Sequence, residues 1–222
     1  MILIRIVGKF IVFLICLIGI FGFGNAFLIS AKSQSIYHLI QLGSGALLFF
    51  LVWIFYLSRR ENFWSILEHE LTHALFALLF FKKVTNLNAN RRSGGMVQME
   101  GGNFVIALAP YFFPLGSVLI ILIKPFFLSE YQWFLNGLLG FITTFHFIYL
   151  IGEFQPSQPD LKESGFLFSS FFVLFFNIFF LGLAFSSLSG DWANMLSFIE
   201  NGGIQSWNYT KEGVIFLKTV LE

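Results

Sequence analysis

The chain is short of nearly everything a water-soluble protein places on its surface. Only 11% of its 222 residues are charged, while 57% are hydrophobic. A soluble domain carries about 25% charge, so this balance excludes one and indicates a polytopic membrane protein. The formal net charge is +1 and no run of Lys or Arg exceeds two residues. That removes the basic footprint expected of a nucleic-acid binder and the pull toward strongly acidic partners. Cysteine occurs once, as Cys16 within the first apolar run. An intrachain disulfide and a cysteine-based zinc site are both excluded, so any metal must be held by His, Asp or Glu.

Aromatic residues are in excess instead, with 33 Phe, more than a soluble core of this size can hold but without cost against lipid. Apolar runs at 10–29, 37–57, 63–81, 104–123, 131–151 and 165–187 are each long enough to span a bilayer as a helix. We therefore expect one all-α, multi-pass integral membrane domain over 1–222 with about six transmembrane helices, in a cell or inner membrane. The first run has an alternative reading as a signal peptide, since Arg5 and Lys9 precede it and Gly24-Asn25-Ala26 offers small residues for cleavage. If the spans alternate, the 13 Lys and Arg divide almost evenly, with Arg59 and Arg60 on one side and Arg91 and Arg92 on the other. The positive-inside rule then selects no orientation.

The longest polar loop, 82–103, carries short extended segments around Asn and Gly, which predicts a β-hairpin-like excursion rather than a helix. Pro110 and Pro114 should kink the fourth span. Pro156 and Pro159 forbid a regular helix after the fifth. Beyond Leu188, Trp192, Trp207 and Tyr209 lie among polar residues, which reads as one or two interfacial helices over 188–222. Asn208-Tyr209-Thr210 matches a glycosylation sequon too short to carry weight.

The third run contains His69-Glu70-Leu71-Thr72-His73, ionisable residues where a membrane helix should have none. Each costs a few kcal/mol near the bilayer centre unless paired or metal-bound. On a helix, positions i and i+4 lie about 40° apart on one face and about 6 Å apart along the axis. His69 and His73 can thus grip one Zn²⁺, with Glu70 beside it as general base. A catalytic zinc takes a third protein ligand and leaves a position for water. The candidates are Asp160, Glu153 and His146, at or near the end of the fifth span. That span runs parallel to the third, which returns the Pro-broken segment to the side of the 82–103 loop. Asp160 is favoured because it lies in the broken region, where a carboxylate can point inward; Glu153 and His146 stand as alternative ligands.

The chain resembles the site-2 proteases, intramembrane zinc metallopeptidases, as a divergent member. The likeness rests on His69-Glu70-Leu-Thr-His73 in a membrane span, the Gly-rich loop after it, the Pro-containing stretch Ala109-Pro-Tyr-Phe-Phe-Pro-Leu115, and Glu153-Phe-Gln-Pro156-Ser-Gln-Pro159-Asp160-Leu. The last is similar to the family's Asn-x-x-Pro-x-x-Pro-x-Asp-Gly, but Glu153 stands for Asn, Asp160 follows Pro159 directly and no Gly comes next. The resemblance implies a metallopeptidase-like core over about 63–187, Asp160 as third zinc ligand and a cytosolic active-site side. The leading expectation is a zinc endopeptidase acting on membrane-associated protein or peptide substrates, with lipid as its surroundings. The alternative is a catalytically inactive zinc-binding scaffold or assembly partner within a membrane-protein complex. Substrate-binding residues are not identified by the sequence.

Overall fold

A computed structural model describes residues 2–58, 63–90 and 94–221. The arginine pairs Arg59/Arg60 and Arg91/Arg92 lie outside the described residues. In chain order the elements are α1 (Ile2–Ser33), α2 (Ile36–Val52, continued by a π-helical turn Trp53–Leu57), α3 (Phe63–Leu79), β1 (Val84–Asn90), β2 (Gly94–Met99), α4 (Phe104–Phe112), α5 (Leu115–Ile123), α6 (Gln132–Glu153), α7 (Pro159–Ser164), α8 (Phe166–Ser186) and α9 (Trp192–Leu221). The protein is an all-α multi-pass membrane protein, with one small antiparallel sheet among the described residues.

Among the described residues four helical stretches are long and apolar enough to cross a membrane: Ile6–Ser33, Ile36–Leu57, Ser129–Glu153 and Phe166–Ser186. A fifth exists if α4 and α5 count as one span broken by 73°. Six apolar runs thus become four spans and one bent pair, and α3 is the run left over. Its 17 residues rise about 26 Å at about 1.5 Å each, less than the roughly 30 Å of a hydrocarbon core. α1 continues without a break through Gly24–Ala26 and lies along α8 and α9, burying Cys16 and Ala26. The C-terminal segment is one 30-residue helix, α9.

Helix contacts exploit small residues. Gly45 of α2 lies so close to the Gly137 carbonyl of α6 that a Cβ would collide with it, and Gly140 meets Leu42 in the same way. Backbones approach like this only where no side chain intervenes. The phenylalanines divide between two roles. Phe104, Phe112, Phe172 and Phe176 interlock ring against ring in a core with Leu108, Tyr111 and Leu161, whereas Phe55, Phe81 and Phe126 face outward.

The α4–α5 break follows from its prolines. Pro110 has no N–H to give the carbonyl four residues back, and Pro114 begins α5 without a side-chain cap. Both losses are made good from α3. The freed Ile106 carbonyl oxygen lies 2.9 Å from His73 Nδ1, and the Gly116 N–H donates to Glu68 Oε1 at 3.4 Å. A bent α4–α5 is therefore bound to the helix that carries the histidines.

Candidate metal centre

α3 presents His69, Glu70 and His73, of which Glu70 and His73 are buried and His69 is half-buried. The helix ends in a Schellman motif: the Lys82 N–H donates to Ala77 O and the Phe81 N–H to Leu78 O, with Phe81 in the left-handed region at φ 56°. This turns the chain directly into β1. The two strands pair with Asn86 opposite Gln98 and Asn90 opposite Gly94, and a bulge between Val84 and Asn86 bends the ribbon. The expected hairpin therefore forms, and it lies against α3. Gly95 of β2 sits so close to Glu70 that any side chain there would strike the carboxylate.

α6 ends at Glu153, and after the Pro-broken turn α7 begins with Pro159 at its first position and Asp160 next. This segment meets α3 beside the hairpin, where Pro159 and Asp160 line the same cleft as Gly95 and Val97 of β2 and His69 and His73 of α3. One ligand atom from each of His69, His73 and Asp160 lies within 4.8 Å of the others. The Nε2 atoms of the two histidines are 3.2 Å apart, and Asp160 Oδ2 lies 3.6 Å from His73 Nε2 and 3.9 Å from His69 Nε2. Donor atoms about 2.0–2.1 Å from a tetrahedral zinc stand roughly 3.3 Å from one another. Two imidazole nitrogens and a carboxylate oxygen at these spacings suit zinc in both chemistry and size.

The other two candidates lie elsewhere. Glu153 Oε2 is 3.0 Å from His69 Nδ1, on the far edge of the ring from the Nε2 cluster. His146 is buried, with Nε2 3.4 Å from Asn177 Oδ1.

Several partners were not apparent from the sequence. The Tyr111 hydroxyl donates to Asp160 Oδ2 at 3.3 Å, and its ring stands edge-on to His69 at 5.4 Å between centroids. Asn177 donates to the Tyr111 carbonyl at 2.9 Å, near the end of α4. The Ile106 carbonyl behind His73 had a local signal, a proline four residues later. Tyr111 had none, because its partner is distant in the chain. Burial alone would raise the Asp160 carboxyl, but the facing imidazoles of His69 and His73 outweigh this and hold it well below the usual carboxylate range.

The cluster opens on a cleft of about 400 Å³ whose walls include Glu70, Gly95, Val97, Asn103 and Asp160. The three candidate ligands, the Glu70 carboxylate and strand β2 thus line one cleft.

A family model described as "Peptidase M50B-like" matches residues 42–152, half the chain. The match takes in α3, the hairpin and the bent α4–α5, and stops at Gly152, one residue before Glu153. No curated protein and no solved structure matches the chain.

Proposed function

The chain belongs to the Peptidase M50B-like family, and on that premise we propose that it is an intramembrane zinc metalloprotease cleaving membrane-associated protein substrates. The observation that carries this reading is the convergence of His69, His73 and Asp160, from two separate segments, on a cleft that also holds Glu70. In this reading His69 and His73 ligate through Nε2 and Asp160 through a carboxylate oxygen. Zinc bound there would supply a water with its pKa lowered toward 7 and a Lewis acid for the scissile carbonyl.

The remaining work falls to the chain. Glu70 accepts the proton of the attacking water as the new C–O bond forms, then passes it to the amide nitrogen as the C–N bond breaks. The buried Ile106 carbonyl fixes His73 with Nδ1 protonated, which turns its Nε2 toward Asp160. Tyr111 holds Asp160 from a fully buried position. β2 lines the cleft through Gly95, Met96, Val97 and Met99, and in a two-stranded sheet its second edge stays outside the ladder. An extended substrate segment can pair with that edge, which suits cleavage because a peptide must be unwound before it is cut. The 1–222 chain acts in this reading as one integral membrane unit.

A second reading, a zinc-binding scaffold without proteolysis, draws support from the departures at Glu153 and after Asp160 and from the end of the family match at residue 152. Expression of wild type, Glu70→Gln and Asp160→Ala separates the two, with zinc measured by elemental analysis and cleavage followed on co-expressed single-span proteins. The protease reading expects zinc and cleavage in wild type, zinc without cleavage in Glu70→Gln, and loss of zinc in Asp160→Ala. Zinc in wild type with no cleavage of any candidate would favour the scaffold.

A further inference from the structure

We propose that Glu153 is a positioning residue: it fixes the His69 ring so that Nε2, and not Nδ1, faces the metal, and is not itself a ligand. The inference rests on the zinc-binding part of the function proposed above. The two nitrogens of an imidazole point in divergent directions, so a group bonded to Nδ1 lies away from whatever Nε2 binds. Glu153 Oε2 accepts from His69 Nδ1 at 3.0 Å, while His69 Nε2 is 3.2 Å from His73 Nε2 and 3.9 Å from Asp160 Oδ2. The carboxylate therefore sits behind the ligand rather than among the ligands.

Both histidines follow the same plan by different means. His73 Nδ1 faces the Ile106 carbonyl, freed by Pro110 within α4. On the outer edge of His69 the partner is instead a side chain, the carboxylate of Glu153 at the end of α6. A carboxylate there does more than orient the ring: it raises the basicity of the opposite nitrogen and strengthens it as a ligand.

The backbone holds Glu153 at this point. The Phe154 N–H donates to Leu150 O at 2.8 Å, the Gln155 N–H to Glu153 O at 2.8 Å and the Gln158 N–H to Gln155 O at 3.0 Å. The segment that presents Asp160 to His69 Nε2 thus also presents Glu153 to His69 Nδ1. The residues flanking one Pro-broken turn thus face the ring from both sides, Glu153 at 3.0 Å from Nδ1 and Asp160 at 3.9 Å from Nε2. The exchange of Asn for Glu in the motif that the chain resembles is then a working substitution, supplying charge as well as an acceptor.

The test uses full-length protein in detergent, with zinc affinity from competition against a chelator and the optical spectrum of the Co²⁺-substituted form. Wild type, Glu153→Gln, Glu153→Ala and Asp160→Ala are compared after size-exclusion confirms folded protein. Glu153→Ala should bind zinc 10- to 100-fold more weakly, the usual effect of losing such a partner, with an unchanged Co²⁺ spectrum because the ligand set is intact. Glu153→Gln keeps an acceptor of the same reach and should recover much of the affinity; it is also the variant that folds if Glu153→Ala does not. Wild-type affinity in both Glu153 variants would overturn the proposal, and so would a Glu153→Gln Co²⁺ spectrum shifted away from that of wild type, which would make Glu153 a ligand. Wild type without zinc overturns the metalloprotease reading and this inference with it. Wild type with zinc but no proteolysis overturns only the former.

Discussion

The carbonyl oxygen of Ile106 lies 2.9 Å from Nδ1 of His73, and it is free to do so because Pro110, four residues on, has no N–H to occupy it. A helix defect in α4 has become the support of a metal-ligand candidate in α3.

Restoring that N–H should therefore weaken the site. Pro110→Ala lets residue 110 compete for the Ile106 oxygen, and zinc affinity is expected to fall by about 10-fold, the low end for a supporting partner that is shared rather than lost. Chelator competition measures it; an affinity equal to wild type would dissociate the proline from the metal site.

Gly95 leaves the Glu70 carboxylate its place, since a side chain there would collide with it. Gly95→Ala should displace the carboxylate while leaving His69, His73 and Asp160 where they are. Cleavage is expected to drop by about 100-fold, typical of a misplaced reacting group, with zinc content unchanged. Zinc loss in parallel with cleavage would show that the hairpin supports the ligands instead.

Tyr111 is fully buried and donates to Asp160 Oδ2. Tyr111→Phe removes only the hydroxyl, so the ring contacts with His69 and Phe154 survive. Stability in detergent should fall by about 1 kcal/mol, the usual net value of one such bond. Zinc affinity should fall alongside it. A variant matching wild type in both measurements would leave the bond without consequence.

Phe81 occupies the C′ position of α3 at φ 56°, where a bulky side chain is strained, and it is exposed. Phe81→Gly should raise the thermal midpoint by removing about 1 kcal/mol of backbone strain. A lower midpoint would mean that the exposed ring contributes more than its backbone costs.

Much of this candidate site could be nominated from the chain itself. His69, Glu70 and His73 stand out because i and i+4 share a helix face, a relation local in sequence, and because ionisable groups in an apolar run demand a partner. Asp160 could be nominated because two prolines free the segment beyond α6, and the structure brings its carboxylate beside the two histidines. Glu153 and His146 could be nominated by position but not told apart. One lies behind the His69 ring and the other is buried beside Asn177, a distinction that depends on which way each face of α6 turns. Tyr111 read as one more aromatic residue in a Phe-rich span.

By itself the sequence determined the solvent and the class and restricted the ligands open to any metal: composition chooses lipid over water, run length sets helices, and a single cysteine leaves only His and carboxylates as donors. Tertiary structure alone decided how many runs are long straight spans, that the C-terminal segment is one helix, and which atom of each site residue meets which partner. The first kind of information is local or additive along the chain. The second depends on the 73° bend of α4–α5 and on contacts between residues far apart in sequence, such as His69 and Glu153, and no residue spacing records these.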